Sequence, residues 1–290
     1  MNSKEEVFTA KTAEGTFRVS IKPHMIINQQ TRQLEHKEYI IRVGGKIPDC
    51  VFLKLSKDGT QGDFTRLDSK EGCSLDPPYT VGGEKTTTMG KLAMTIAKEL
   101  NPNLKILTLQ DSASFPCKLP DGKMYQVNSA DYELFFYQKA YYDRRYSAIL
   151  INPILRSMYE DYKANFTNPE KKPAEFDFLE LTLNKMLQPL YTSTKTWKEF
   201  IDAISESWKH EKKCKLVYLW LKTALLKVFN NISFSGQAWE IHLSSEHSIP
   251  YTKVKVGGKY TRKSKRINHT EFLLPYPAPR DYLVMDWSKV

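Results

Sequence analysis

The stretch that most constrains this chain is "YTVGGEKTTTMGKLAMTIAKELNPNLKILTLQDSAS", Tyr79 to Ser114. Within it Leu92, Ile96 and Leu100 recur every four residues with Ala93 and Ala97 beside them. One helical face is therefore apolar, and Lys91, Thr95, Lys98 and Glu99 lie mostly off it. Asn101-Pro102-Asn103 stops that helix, and "LKILTL" then reads as a buried strand. Ahead of the stretch, "VFTAKT", "TFRVSIKP", "EYIIRVGG" and "CVFLKL" are short, rich in β-branched or aromatic residues, and separated by Gly or Pro. They read as strands up to about residue 56, followed by a polar, glycine-rich loop with a Pro77-Pro78 pair. A chain with the order strands, Gly/Thr loop, helix, tight stop, strand packs a helix on a sheet, and the expected class is α+β.

Behind this stretch the pattern changes twice. "FPCKLPDGKMYQV" carries a Pro-Asp-Gly turn between two extended runs and reads as a hairpin. "SADYELFFYQKAYYDRRY", Ser129 to Tyr146, reads as one aromatic-rich helix with Ser129 as its N-cap. "ILRSMYEDYKANF", "FDFLELTLNKMLQPLY", "TWKEFIDAISESWKH" and "KLVYLWLKTALLKVFNN" are four further helical patterns, with "TNPEKKPAEF" as a boundary between lobes. From Ser244 the chain turns irregular, basic and proline-bearing. The expected organisation is an α+β domain over 1–150, a helical region over 151–243 and a basic, Pro-containing segment over 244–290.

Composition narrows the classes. Hydrophobic residues make up 41%, with 16 tyrosines and 14 phenylalanines, which excludes a disordered chain. Cys50, Cys73, Cys117 and Cys214 form no CxxC pair, and the six histidines show no metal-ligand spacing, so no metal is expected. The N-terminal stretch has no apolar signal core, and no run approaches the roughly 18 apolar residues of a membrane span. A protein that is neither secreted nor membrane-borne, in a reducing compartment, is the expectation. The net charge is +10, from 43 basic and 33 acidic residues, about half of the excess lying in the last fifty residues. That balance favours anionic partners. Lys259, Arg262, Lys263, Lys265 and Arg266, interleaved with Tyr251 and Tyr260, suit phosphates and stacked bases. The same residues also suit the solvated face of a hairpin "VKVGGKYTRKSKRI" or a localisation patch.

The glycines and threonines raise the question of phosphate binding. A P-loop needs GxxxxGK followed by Ser or Thr. Here Gly83 and Gly90 enclose six residues, and Leu92 follows Lys91, so the motif fails. A loop of small residues opening a helix still gathers free N–H groups at the positive end of the helix dipole, which suits a pyrophosphate. The bland alternative is a connection that simply starts a helix, with threonine as N-cap.

The run "KTTTMGKLAMTIAKELNPNLKILTLQDSA", followed by "FFYQKAYYDRRYSA", resembles the core of the GNAT N-acetyltransferase superfamily. The family's Gln/Arg-x-x-Gly-x-Gly/Ala loop falls on Lys85 to Gly90, where only the last glycine is kept and Thr88 replaces the first. Its later Tyr-x-Lys-x-Gly-Phe pattern falls on Tyr137 to Tyr142, matching at Tyr137 and Lys139 only. The segments "TTTMGKLAMTIAKEL", "LTLQDSASF" and "YQKAYYDRRYSA" are more similar still to GNAT-like proteins of large DNA viruses, over about residues 38–150. The resemblance implies a GNAT-like mixed sheet with flanking helices. It implies acetyl-CoA as cofactor, its pyrophosphate on Thr86, Thr87, Thr88, Met89, Gly90 and Lys91, and Tyr137 or Tyr142 as the acid for the departing thiolate. A general base is not fixed by any motif; Glu71, Asp76 and Glu84 lie near where one would sit.

Three functions follow as expectations. One is a catalytically degenerate GNAT-like scaffold, acting in a virion or the host cytoplasm as an interaction protein with other viral proteins. Another is an acetyl-CoA-dependent N-acetyltransferase acting on an amine. The third is a nucleic-acid-binding protein using the basic C-terminal segment.

Overall fold

The computed structural model describes residues 5–27, 34–44, 50–55, 60–67, 83–111, 114–118, 124–179, 181–208 and 214–255. Five strands form an antiparallel meander: β1 Glu6–Thr12, β2 Gly15–Ile27, β3 Leu34–Gly44, β4 Val51–Leu55 and β5 Gln61–Leu67. Alternation sets which side is buried. Phe8, Val19, Val43 and Val51 stand in one cross-strand row, and Ile21, Ile41, Leu53 and Phe64 in the next. All eight are buried, and the two rows form one apolar face of the sheet.

Helix α1, Gly83–Leu100, packs on that sheet against β3 and β4. Leu92, Ala93, Ile96 and Ala97 are fully or almost fully buried, as their spacing predicts, and burying a Leu- or Ile-sized side chain stabilises by about 1.5–3 kcal/mol. The helix ends where the Asn101 amide donates to the Ala97 carbonyl and the Asn103 amide to Asn101 Oδ1. Strand β6, Ile106–Gln110, then runs parallel to β5, from Gln61 opposite Ile106 to Phe64 opposite Leu109. Beyond Phe64, β5 continues along β4 with Thr65 as an extra residue in the ladder, a bulge that bends the strand.

A hairpin follows, β7 Ser114–Lys118 with β8 Met124–Asn128. Next come α2 Ser129–Tyr137, α3 Tyr141–Tyr146, β9 Ile149–Leu150 and α4 Pro153–Thr167. The remaining helices are α5 Leu181–Ser193, α6 Trp197–Trp208 and α7 Cys214–Lys227, followed by β10 Ala238–His242 and β11 Thr252–Lys255. Strand order across the nine-stranded sheet is β11-β1-β2-β3-β4-β5-β6-β10-β9. The fold is α+β, with a large mixed sheet and several helices.

Several expectations change. The expected loop over Gly83 to Lys91 is helix from Gly83 onward. The single helix over Ser129–Tyr146 is two, broken where Gln138 takes a left-handed φ of 59°, and Asn128 rather than Ser129 stands at the N-cap. "AWEIH" is an internal strand of the sheet, hydrogen-bonded to β6 and β9. The sheet thus draws β10 from the segment expected to be helical and β11 from the segment expected to be irregular. Cys50, fully buried ahead of β4, is disulfide-bonded, which four separated cysteines and a reducing compartment do not signal.

Candidate functional site

The residues expected to cradle a pyrophosphate lie inside α1, where each is occupied by the protein itself. Only the first few amides of a helix lack an intrahelical acceptor, so Thr87 to Lys91 lie beyond the set that a helix N-terminus offers. The Thr86 carbonyl accepts from the Tyr146 hydroxyl at 3.3 Å. Thr87 Oγ1 is 3.2 Å from the Tyr141 hydroxyl. Thr88 is buried and donates to the Glu14 carboxylate, in the turn between β1 and β2. Met89 is buried, and Lys91 Nζ donates to the Glu246 carbonyl at 3.2 Å.

Gly90 has its own explanation. A Cβ there would come within 3.0 Å of Tyr146 Cζ and closer still to the hydroxyl. Tyr146 is 1% exposed, and its ring stacks on Phe64 with centroids 6.4 Å apart. It therefore fills the space between α1 and the point where β5 leaves its pairing with β6. Its backbone carbonyl accepts from His247 Nε2 at 2.8 Å, while His247 Nδ1 accepts from the Ser244 amide. The segment 244–251 is sewn onto α1 as well: the Ile249 amide donates to Thr95 Oγ1 at 3.0 Å and the Tyr251 hydroxyl to Glu99 at 2.6 Å.

The two tyrosines singled out as acids sit on either side of the α2–α3 break. Tyr142 is buried, and its hydroxyl pKa is pushed well up by burial, with the charge of Asp111 and the neighbouring Tyr141 adding to the shift. Tyr137 is half-buried under the Arg144 guanidinium, 4.3 Å from its ring centre. Burial first and Glu133 second raise its pKa, against the pull of Arg144 and Arg145. Tyr141 and Tyr146 are raised mainly by burial too. These hydroxyls hold their protons at neutral pH, so the cluster donates hydrogen bonds and supplies no base.

Two nearby carboxylates, those of Glu133 and Asp131, are also engaged. Glu133 pairs with Arg144 at 2.5 Å; burial raises its carboxyl and Arg144 opposes the rise. Asp131 accepts from the Phe234 amide at 2.9 Å and from Ser233 Oγ at 2.7 Å. Asp111 ties the end of β6 to the chain entering β10: its amide donates to Gln237 and its carbonyl accepts from Gly236. Glu71 and Asp76 lie outside the described residues, as do Lys259, Arg262, Lys263, Lys265 and Arg266; the Glu84 side chain is likewise outside them.

The structure thus brings Thr86, Thr87, Gly90, Tyr141, Tyr142 and Tyr146 into one cluster, in which Thr87 and Tyr141 are half-buried and the others buried. Tyr146 and His247, which organise it, carry no motif; the tyrosine's helical spacing from Tyr142 was the only signal. Among the described residues no group of three or more His, Cys, Asp or Glu could hold a metal ion, and no helix is long and apolar enough to cross a membrane. Comparison with known protein families, with curated proteins and with solved structures finds no match.

Proposed function

We propose that this chain is a GNAT-like protein of large DNA viruses in which side-chain packing has replaced the acyl-CoA site, and that it works as a virion or interaction protein. Support for the GNAT-like part is the order β5, α1, β6 with β5 and β6 parallel, the extra residue at Thr65, and β10 and β9 following beyond β6. The observation that carries the functional part is the contact of Gly90 with Tyr146. In a phosphate-binding turn, a glycine lets the backbone approach the ligand; here the same space holds a tyrosine ring whose hydroxyl bonds Thr86.

The test is thermal unfolding of the full chain with coenzyme A or acetyl-CoA. A ligand at a hundred times its dissociation constant adds about 2.7 kcal/mol of stability. The expected result is no shift at millimolar coenzyme A, together with recovery of the chain in stoichiometric amounts from purified particles. A saturable shift would overturn the proposal and favour the second reading, an acetyl-CoA-dependent N-acetyltransferase. That reading has in its favour that the parallel β5–β6 pairing ends at Phe64, next to the residue where β5 bulges against β4.

A further inference from the structure

The helices hold a cavity that plays no part in the tyrosine cluster. It has a volume of about 160 Å³ and is walled by Phe166, Phe176, Trp197 and Phe229, with Lys171 and Lys227 among its lining residues. The walls come from α4, the segment before α5, the start of α6 and the stretch after α7, so four separate pieces of chain line it. Trp197 meets Phe176 edge-on at 5.3 Å. Its indole N–H is already committed to the Lys171 carbonyl at 3.0 Å, so the ring offers the cavity only apolar surface. Beside the neutral Asn165 and the Tyr162 phenol, the charged lining groups are both cationic: Lys171 is exposed, and Lys227 is paired at 3.2 Å with Asp177, whose side chain is 77% exposed. Such a water-exposed pair is weak and exchanges readily for another carboxylate.

We infer that this cavity is an anchor pocket for a protein partner, taking one phenylalanine-sized side chain from an acidic segment. Size decides between a free small molecule and an anchor. Sites for whole small-molecule ligands run to about 300–1,000 Å³, whereas an apolar cavity of about 150 Å³ holds a single benzene ring. A buried aromatic anchor in a desolvated pocket is also the usual energetic centre of a protein interface. Charge selects the flanks, because carboxylates beside the anchor would meet Lys171 and Lys227. The inference stands on the helices alone and is independent of the coenzyme A result.

The probe is a fluorescein-labelled peptide, acetyl-Asp-Glu-Phe-Asp-Glu-amide, titrated with the full chain and followed by anisotropy. We expect saturable binding, weakened about tenfold or more when the phenylalanine is replaced by alanine. Val228→Phe, which adds a ring at a residue lining the cavity, abolishes binding. The exposed pair Lys171→Glu with Lys227→Glu weakens it about tenfold while leaving the melting temperature unchanged. Equal affinity for the two peptides would mean plain charge attraction and overturn the inference. So would the absence of saturation up to about 1 mM, an affinity at the weak end of specific recognition, or undiminished binding by both variants. A Val228→Phe chain that is stabilised, beside a wild-type chain that binds no peptide, would mark the cavity as a packing defect.

Discussion

Gly90 and Tyr146, 56 positions apart, are fitted to one another: the absent Cβ of the glycine leaves the space that the tyrosine ring occupies. At an exposed helix position Gly→Ala gains about 1 kcal/mol. Here Gly90→Ala is expected to cost about 1–3 kcal/mol, because the added methyl overpacks a buried contact. The atom nearest that methyl is the tyrosine hydroxyl, so Tyr146→Phe should recover part of the loss. Urea denaturation of the two single variants and the double variant measures the coupling, and strictly additive effects would refute the contact.

The buried tyrosines make a second prediction. Tyr137, Tyr141, Tyr142 and Tyr146 all have raised pKa values, and burial comes first among the causes for each. Absorbance titration of tyrosinate should therefore show a fraction of the 16 tyrosines still protonated at pH values where free tyrosine, near 10, has ionised. A raised phenol stabilises the fold fully below its unfolded value, and that contribution is lost as pH climbs through the folded one. Ionisation of those residues and cooperative unfolding should coincide. A single titration centred near 10 in the folded protein would contradict the packing.

Asp131 gives an acid-side counterpart. Burial lifts its carboxyl above the ordinary 3.8, against the hydrogen bonds from Ser233, Phe234 and Asn128 that favour the charged form. The folded chain thus keeps this proton where the unfolded chain has lost it. The resulting stability is complete below 3.8 and disappears as pH rises through the folded value. Asp131→Asn, which cannot ionise, should flatten the stability-versus-pH curve from that point towards neutrality. Asp131→Leu, which leaves the Phe234 amide without its acceptor, should cost about 1–3 kcal/mol. Denaturant midpoints measured across the acid range decide both.

Gln138 breaks the tyrosine helix at φ 59°, where an L-residue with a side chain pays about 1–2 kcal/mol. Gln138→Gly should therefore stabilise the chain by about 0.5–1 kcal/mol after the added unfolded-state entropy. A loss of stability would mean that the Gln138 side chain is itself doing structural work.

Local pattern carried the front of the sheet. Alternation alone assigns Val51, Leu53 and Leu55 to the buried face, and the four-residue repeat of Leu92 and Ile96 places α1 against it. The start of α1 was illegible because two glycines and three threonines are poor helix formers, and packing overrides them. The break at Gln138 has no Gly or Pro to announce it. "AWEIH" is five residues long and becomes a strand through β6 and β9, so no window of sequence contains the reason for it. Gly90 shows the limit most directly. A glycine that admits a phosphate and one that admits a tyrosine ring look the same until the ring's position is known.

The place of β10 in the sheet has a consequence for synthesis on the ribosome. Strand β6 pairs with β5 on one side, but its other neighbour, β10, is made about 130 residues later. At about 5–20 residues per second, that edge stays open for roughly 7–26 s. Unpaired edges of that kind are templates for aggregation. A nascent chain carrying only the front half is thus a client for chaperones, and a recombinant fragment ending near residue 150 would carry the same open edge permanently.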